Sequence, residues 1–251
     1  MQSPLFAFND SQARDRYSLQ NKQMLRVVLE GHDDVLARKG TMVAYQGLVE
    51  FDAEYTNNQQ SRARAYTGEG LDLMRCHGQG TVYLANLAQH VHVLDVEQDG
   101  LTVDSGYVLA MDSSLHYEVV AVDSLYGISG SGKYQLNITG HGKVALMTSG
   151  APLLMQVTPD KYVNCDADAI VAWSTGLRVQ MQAQTHSSGV WRRRGSTGEG
   201  WELSFMGSGF ALVQPSELLP PQGAQIGQGL AAQFGMGQQG ARGMNQGNAW
   251  S

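Results

Sequence analysis

Charge is scarce in this chain. Asp, Glu, Lys and Arg together supply only 16% of its 251 residues, and the balance is acidic, with a net charge of -6. A positive field strong enough to displace counterions from a nucleic acid is therefore absent overall, and nucleic acid is not an expected partner. Cysteine is scarcer still. Cys76 and Cys165 lie far apart with no C-x-x-C spacing, which excludes a disulfide scaffold or a zinc ribbon and reads as two reduced, partly buried thiols. The N-terminal stretch MQSPLFAFNDSQARDRYSLQ has no basic region followed by an apolar run, so it does not read as a secretory signal. No apolar run approaches the ~18 to 20 residues needed to cross a bilayer. A cytoplasmic protein without a transmembrane segment is the expectation. Also missing is any capped apolar stripe at helical spacing, which argues against a helical fold.

Hydrophobic residues (42%) and 30 glycines are present in quantity, enough for a sizeable core cut by many turns. The chain also repeats itself. Residues 68–84 read GEGLDLMRCHGQGTVYL, residues 130–146 read GSGKYQLNITGHGKVAL, and residues 198–213 read GEGWELSFMGSGFALV. Each has a G-x-G, an alternating strand, a second G-x-G and another apolar strand. Gly70, Gly132 and Gly200 are 62 and 68 residues apart. An upstream block recurs as well: VLARKGTMVA (35–44), LTVDSGYVLA (101–110) and YVNCDADAIVA (162–172). Aligned on Ala44, Ala110 and Ala172, these blocks place Val35, Leu101 and Val163 in register, and likewise Met42, Val108 and Ile170. Tyr134, Leu136 and Ile138 alternate with polar residues, the period of a strand with one buried face. The fold expectation is all-β: three tandem repeats of about 62–68 residues, each a small sandwich or barrel packed on its neighbours.

The organisation that follows is an N-terminal extension (1–21), three repeats (22–90, 91–152 and 153–215) and a tail (216–251). The tail, Gly- and Gln-rich with little charge, buries too little apolar surface to order alone. A protein partner is its expected use.

Four features look like sites. The stretch GISGSGK (127–133) matches a phosphate-binding loop, but Tyr134 replaces the metal-binding hydroxyl and Lys133 opens a strand where that chemistry needs a helix. The sister stretches carry no lysine there, so its glycines read as structural. Gly68, Gly70, Gly78, Gly80, Gly130, Gly132, Gly140, Gly142, Gly198, Gly200, Gly207 and Gly209 are then hairpin glycines. His90 and His92, two apart on a strand, face one way and could share a metal with Glu97 as in a cupin. Glu97 falls on the opposite face unless a bulge intervenes. Arg192, Arg193 and Arg194 form the one basic run, a candidate anion or acidic-partner contact. Glu69 and Glu199 recur as turn residues, and no catalytic grouping is visible. No cofactor is expected.

The segments TGEGWELSFMGSGFALVQ (197–214) and GSGKYQLNITGHGKVAL (130–146), with the VLA blocks, resemble the altered-inheritance-of-mitochondria family numbered twenty-four. That group includes many bacterial proteins long called a domain of unknown function, and this chain looks bacterial. The resemblance covers about residues 22–215. It implies a threefold-duplicated, pseudo-threefold β fold similar to the tryptophan RNA-binding attenuation protein, a short variant of the double-stranded β-helix. It also implies trimers, in which nine units close a ring. It supplies no catalytic residue, and RNA binding is not inherited from a fold. The functional expectation is a non-enzymatic, self-associating binding or scaffold protein. A cupin-like metal enzyme using His90 and His92 and an RNA- or anion-binding ring are the alternatives.

Overall fold

The computed structural model describes residues 3–9, 13–54, 71–97, 99–121, 134–183 and 201–215. Among them the chain is all-β, apart from single 3-10 turns at Pro4–Ala7 and Ser105–Tyr107. The first strands are β1 (Tyr17–Asn21), β2 (Met24–Glu30), β3 (Val35–Arg38), β4 (Met42–Ala53) and β5 (Leu73–Leu84). The middle of the chain forms β6 (His90–Val96), β7 (Leu101–Asp104), β8 (Val108–Asp112), β9 (His116–Ala121), β10 (Tyr134–Thr139) and β11 (Gly142–Thr148). The last six are β12 (Leu153–Val157), β13 (Val163–Asp166), β14 (Ile170–Ser174), β15 (Arg178–Ala183), β16 (Trp201–Met206) and β17 (Gly209–Val213). All lie within one compact unit, Met1–Pro220.

Strand sequence follows from which faces are covered. In β2, Leu25, Val27 and Leu29 are buried while their neighbours are partly exposed, the period-2 pattern of a strand with one dry face. β8 and β14 are buried at every position and accordingly read as unbroken apolar runs, VLAM and IVAW. The strands form three antiparallel sheets. One has the order β1-β2-β5-β3-β8-β11-β6 with β4 also on β5, the second β12-β17-β14-β7-β10-β9, and the third β13-β16-β15.

The described glycines turn corners. β10 uses its two edges for β7 and β9, and β11 uses its own for β6 and β8. Gly140 and Gly142 therefore carry the chain from one sheet to another, where the sequence reading expects a hairpin. Gly207 and Gly209 do the same between β16 and β17. Gly78 and Gly80 lie inside β5, and β4 passes so close that a Cβ on Gly80 would sit 2.0 Å from the Gln46 carbonyl oxygen. Gly78 (φ +106°), Gly140 (+109°) and Gly207 (+121°) share a conformation that a side chain disfavours. Gly68, Gly70, Gly130, Gly132, Gly198 and Gly200, and the whole of 127–133, fall outside the described residues.

Three apolar cores result. Leu25, Val27, Cys76 and Val82 belong to the first, Val103, Leu136, Ile138 and Val144 to the second, and Cys165, Leu203 and Phe205 to the third. Two short strand pairings join successive parts of the chain. β3 meets β8 with Val35 opposite Asp112, Leu36 opposite Met111 and Ala37 opposite Ala110. β7 meets β14 with Leu101 opposite Ser174, Thr102 opposite Trp173 and Val103 opposite Ala172. Polar side chains fasten both junctions. Arg38 donates to the Val108 carbonyl at 2.9 Å and to that of Ser105, which satisfies a guanidinium whose pKa burial lowers. Gln214 donates to the Tyr107 hydroxyl at 2.9 Å and accepts from the Ser149 amide at 2.9 Å.

Candidate functional site

Met42, Val108 and Ile170 hold equivalent places in the sequence blocks, as do Val43, Leu109 and Val171, and Tyr45, Met111 and Trp173. In β8 and β14 these six residues are 0–3% exposed. In β4 the same positions are open: Met42 is 37% exposed, Val43 52% and Tyr45 50%, with Leu48 at 81% further along. The backbone is the same in all three places. Each strand skips one residue in its pairing, Val43 against β5, Leu109 against β11 and Val171 against β17, so each carries a bulge at that point. What differs is the neighbour. β8 lies between β11 and β3, and β14 between β17 and β7, whereas β4 bonds to β5 alone among the described residues. A strand with an open edge and clustered exposed apolar side chains is a candidate contact surface.

β13 likewise lacks, among the described residues, a neighbour that its counterparts have. β13 bonds only to β16 among the described residues. Its counterparts β3 and β7 each bond on both edges. Asn164 is exposed there, while Leu36 and Thr102 at the matching positions are buried. Tyr162, just before the strand, is 67% exposed.

His90 and His92 stand on β6 with ring centres 6.5 Å apart. His92 Nε2 is 2.8 Å from the Thr148 hydroxyl, whose own proton goes to the Gly150 carbonyl at 2.6 Å. The hydroxyl can therefore only accept from the ring, which fixes the proton on His92 Nε2 and occupies that nitrogen. Glu97 lies beyond the end of β6 and is exposed. Among the described residues no group of three His, Cys, Asp or Glu is placed to hold a metal. Burial, and secondarily His90, lower the His92 pKa below its ordinary 6.5. The unfolded chain then binds more protons than the folded one as pH falls through 6.5, so this residue subtracts stability under acid. Replacing it with Gln is expected to flatten the fall in stability between pH 7 and 5.5, measured by denaturant titration at each pH. An unchanged slope would refute the assignment.

Neither thiol is poised to react. Both are buried and free, and burial pushes Cys76 up to about 12 and Cys165 up to about 11, against the low pKa of a nucleophilic cysteine. Arg192, Arg193 and Arg194 lie outside the described residues. A polar cluster not anticipated from the sequence ties the N-terminal segment to the fold. Asp112 accepts from the Arg16 guanidinium and, at 2.7 Å, from the Lys143 amide, while Arg16 also donates to the Asp33 carbonyl at 2.9 Å. Tyr17 lies buried beside it, its pKa raised well above 10 by burial and by the Asp112 carboxylate. Its partners are 96 residues apart, and no local motif announces them.

No helix among the described residues is long and apolar enough to cross a membrane. The family described as "Mitochondrial biogenesis AIM24" matches residues 17–216. No curated protein matches the chain. Among solved structures, a Streptococcus pyogenes protein determined by a structural genomics consortium is similar at 19% identity, with a TM-score of 0.61, over 87% of this chain and 97% of its own. At that identity the likeness concerns the fold.

Proposed function

The chain belongs to the mitochondrial biogenesis AIM24 family, and from that premise we propose that it is a non-enzymatic, self-associating β scaffold built from three copies of one unit. The triplication is supported by strand registers. Val35 faces Cys76, Leu101 faces Ile138 and Val163 faces Phe205. One step along, Ala37 faces Met74, Val103 faces Leu136 and Cys165 faces Leu203. The bulges at Val43, Leu109 and Val171 recur in the same way.

Self-association is carried by one observation, the exposed apolar strand β4. Its residues sit in a sequence block whose other copies are interior, and an open edge in water invites pairing with another chain. The scaffold reading is further supported by thiols held far from reactivity and by a His92 nitrogen already engaged. Light scattering at micromolar concentration is expected to give a multiple of the chain mass. Val43→Asp and Tyr45→Asp, each placing a charge on the contact surface, are expected to return the monomer without lowering its melting temperature. A wild-type chain that scatters as a clean monomer would overturn the reading.

A further inference from the structure

We infer that β4 of one copy pairs antiparallel with the open edge of β13 in the next, with Ala44 opposite Cys165, Tyr45 opposite Asn164 and Gln46 opposite Val163. This rests on the self-association proposed above and adds its direction, its register and its two participating strands.

The register comes from pairings the chain already makes. Ala37 faces Ala110 where β3 meets β8, and Val103 faces Ala172 where β7 meets β14. In the sequence blocks Ala44 matches Ala110 and Ala172. Cys165 matches Ala37 and Val103. The first two members of each series are joined, and the remaining two, Ala44 and Cys165, sit on β4 and β13, each of which lacks, among the described residues, a neighbour that its counterparts have.

The cores point the same way. The first core takes in Leu109, Ala110 and Ala145 from the strands that follow it. The second takes in Val171, Ala172 and Leu212, the matching three from the strands after it. Among the described residues no strand follows β17, and the third core's members come from β12 to β17 and their turns. The corresponding residues of the first repeat are Val43, Ala44 and Tyr83, on β4 and its neighbour β5. A second copy docked in this register brings all three to the side of the third core where Cys165 lies. The contact joins two different strands, so it is heterologous, and copies add head to tail.

Disulfide trapping tests the register. Residues directly opposite in an antiparallel pair have Cα atoms about 4.5–5.5 Å apart, within reach of a disulfide. Mild oxidation of a Tyr45→Cys/Asn164→Cys chain is expected to give a reducible ladder of multimers on denaturing gels. Either single variant alone should give none, because the buried native thiols serve as an internal control, and mixing the two single variants should give dimers only. Gln46→Cys/Val163→Cys, opposite in the same register, is a second, independent pair should the first double variant misfold. An intramolecular bond alone would overturn the inference, since the two edges would then meet within one chain. So would equal trapping by an out-of-register Leu48→Cys/Asn164→Cys pair. Absence of any bond in a chain that still scatters as a multimer overturns the register and leaves self-association standing. Absence of a bond in a monomeric chain removes both.

Discussion

Truncating Phe205 to alanine is expected to cost about 3–5 kcal/mol, because the ring is fully buried and its removal leaves a cavity that strands cannot collapse to fill. Phe205 sits on β16 opposite Val163 on one side and Val179 on the other. Its ring also packs against Trp173 at 5.4 Å between centres, tilted by 60°, an aromatic contact that adds to the burial. For a fold of this size each kcal/mol moves the melting temperature by roughly 2–4 °C, so a thermal melt should fall by roughly 6–20 °C. Phe205→Leu, which retains most of the volume, should lose much less. A shift below roughly 3 °C for the alanine variant would mean that the third core is not packed as described.

Asp112→Ala is the second large effect, about 2–4 kcal/mol at neutral pH, by a different route. The carboxylate is nearly buried and serves two donors, so deleting it strands the Arg16 guanidinium and leaves the Lys143 amide without its side-chain acceptor. Arg16→Ala should cost less. Arg16 is partly open to water, its side chain 24% exposed against 10% for Asp112, and solvent weakens its share of the pair. Denaturant melts of the two single variants and the double variant give the coupling directly. Strict additivity would show that the two side chains do not act on each other. Hydrogen exchange supplies a local check, since the Lys143 amide should exchange faster in Asp112→Ala than in Arg16→Ala.

Strand content was legible because alternation and turn residues are local. Leu25, Val27 and Leu29 announce their buried face within seven residues, and the VLA blocks announce three like strands by comparison with one another. Which edge a strand offers to which neighbour is not a local property. The pattern around Met42, Val43 and Tyr45 matches that of Leu109 and Val171, so the sequence marks all of them as interior. Exposure at β4 goes with the lack, among the described residues, of a second bonded neighbour, which no pattern inside the block encodes. The pairs Gly140–Gly142 and Gly207–Gly209 join strands that do not bond to each other, for a related reason. Glycine signals a positive φ or a close approach, and both occur here, but neither says whether the flanking strands bond to each other or to others. The Arg16–Asp112 pair was out of reach altogether, since partners so distant in sequence meet only after the sheets have formed. His90 and His92 fall on one strand as expected, yet the partner of His92 is the Thr148 hydroxyl, on a strand that only pairing brings alongside.

The junctions between β3 and β8 and between β7 and β14 also bear on how the chain is made. Each early strand has one edge that stays empty until a later stretch has left the ribosome: β3 waits for β8, and β7 waits for β14. Synthesis thus hands the unfinished edge forward, from β3 to β7 and then to β13, and a nascent chain always carries an exposed strand at its growing end. Among the described residues that edge is still open at β13, and the pairing with β4 of another copy proposed above would fill it in a step whose rate depends on how many chains are present.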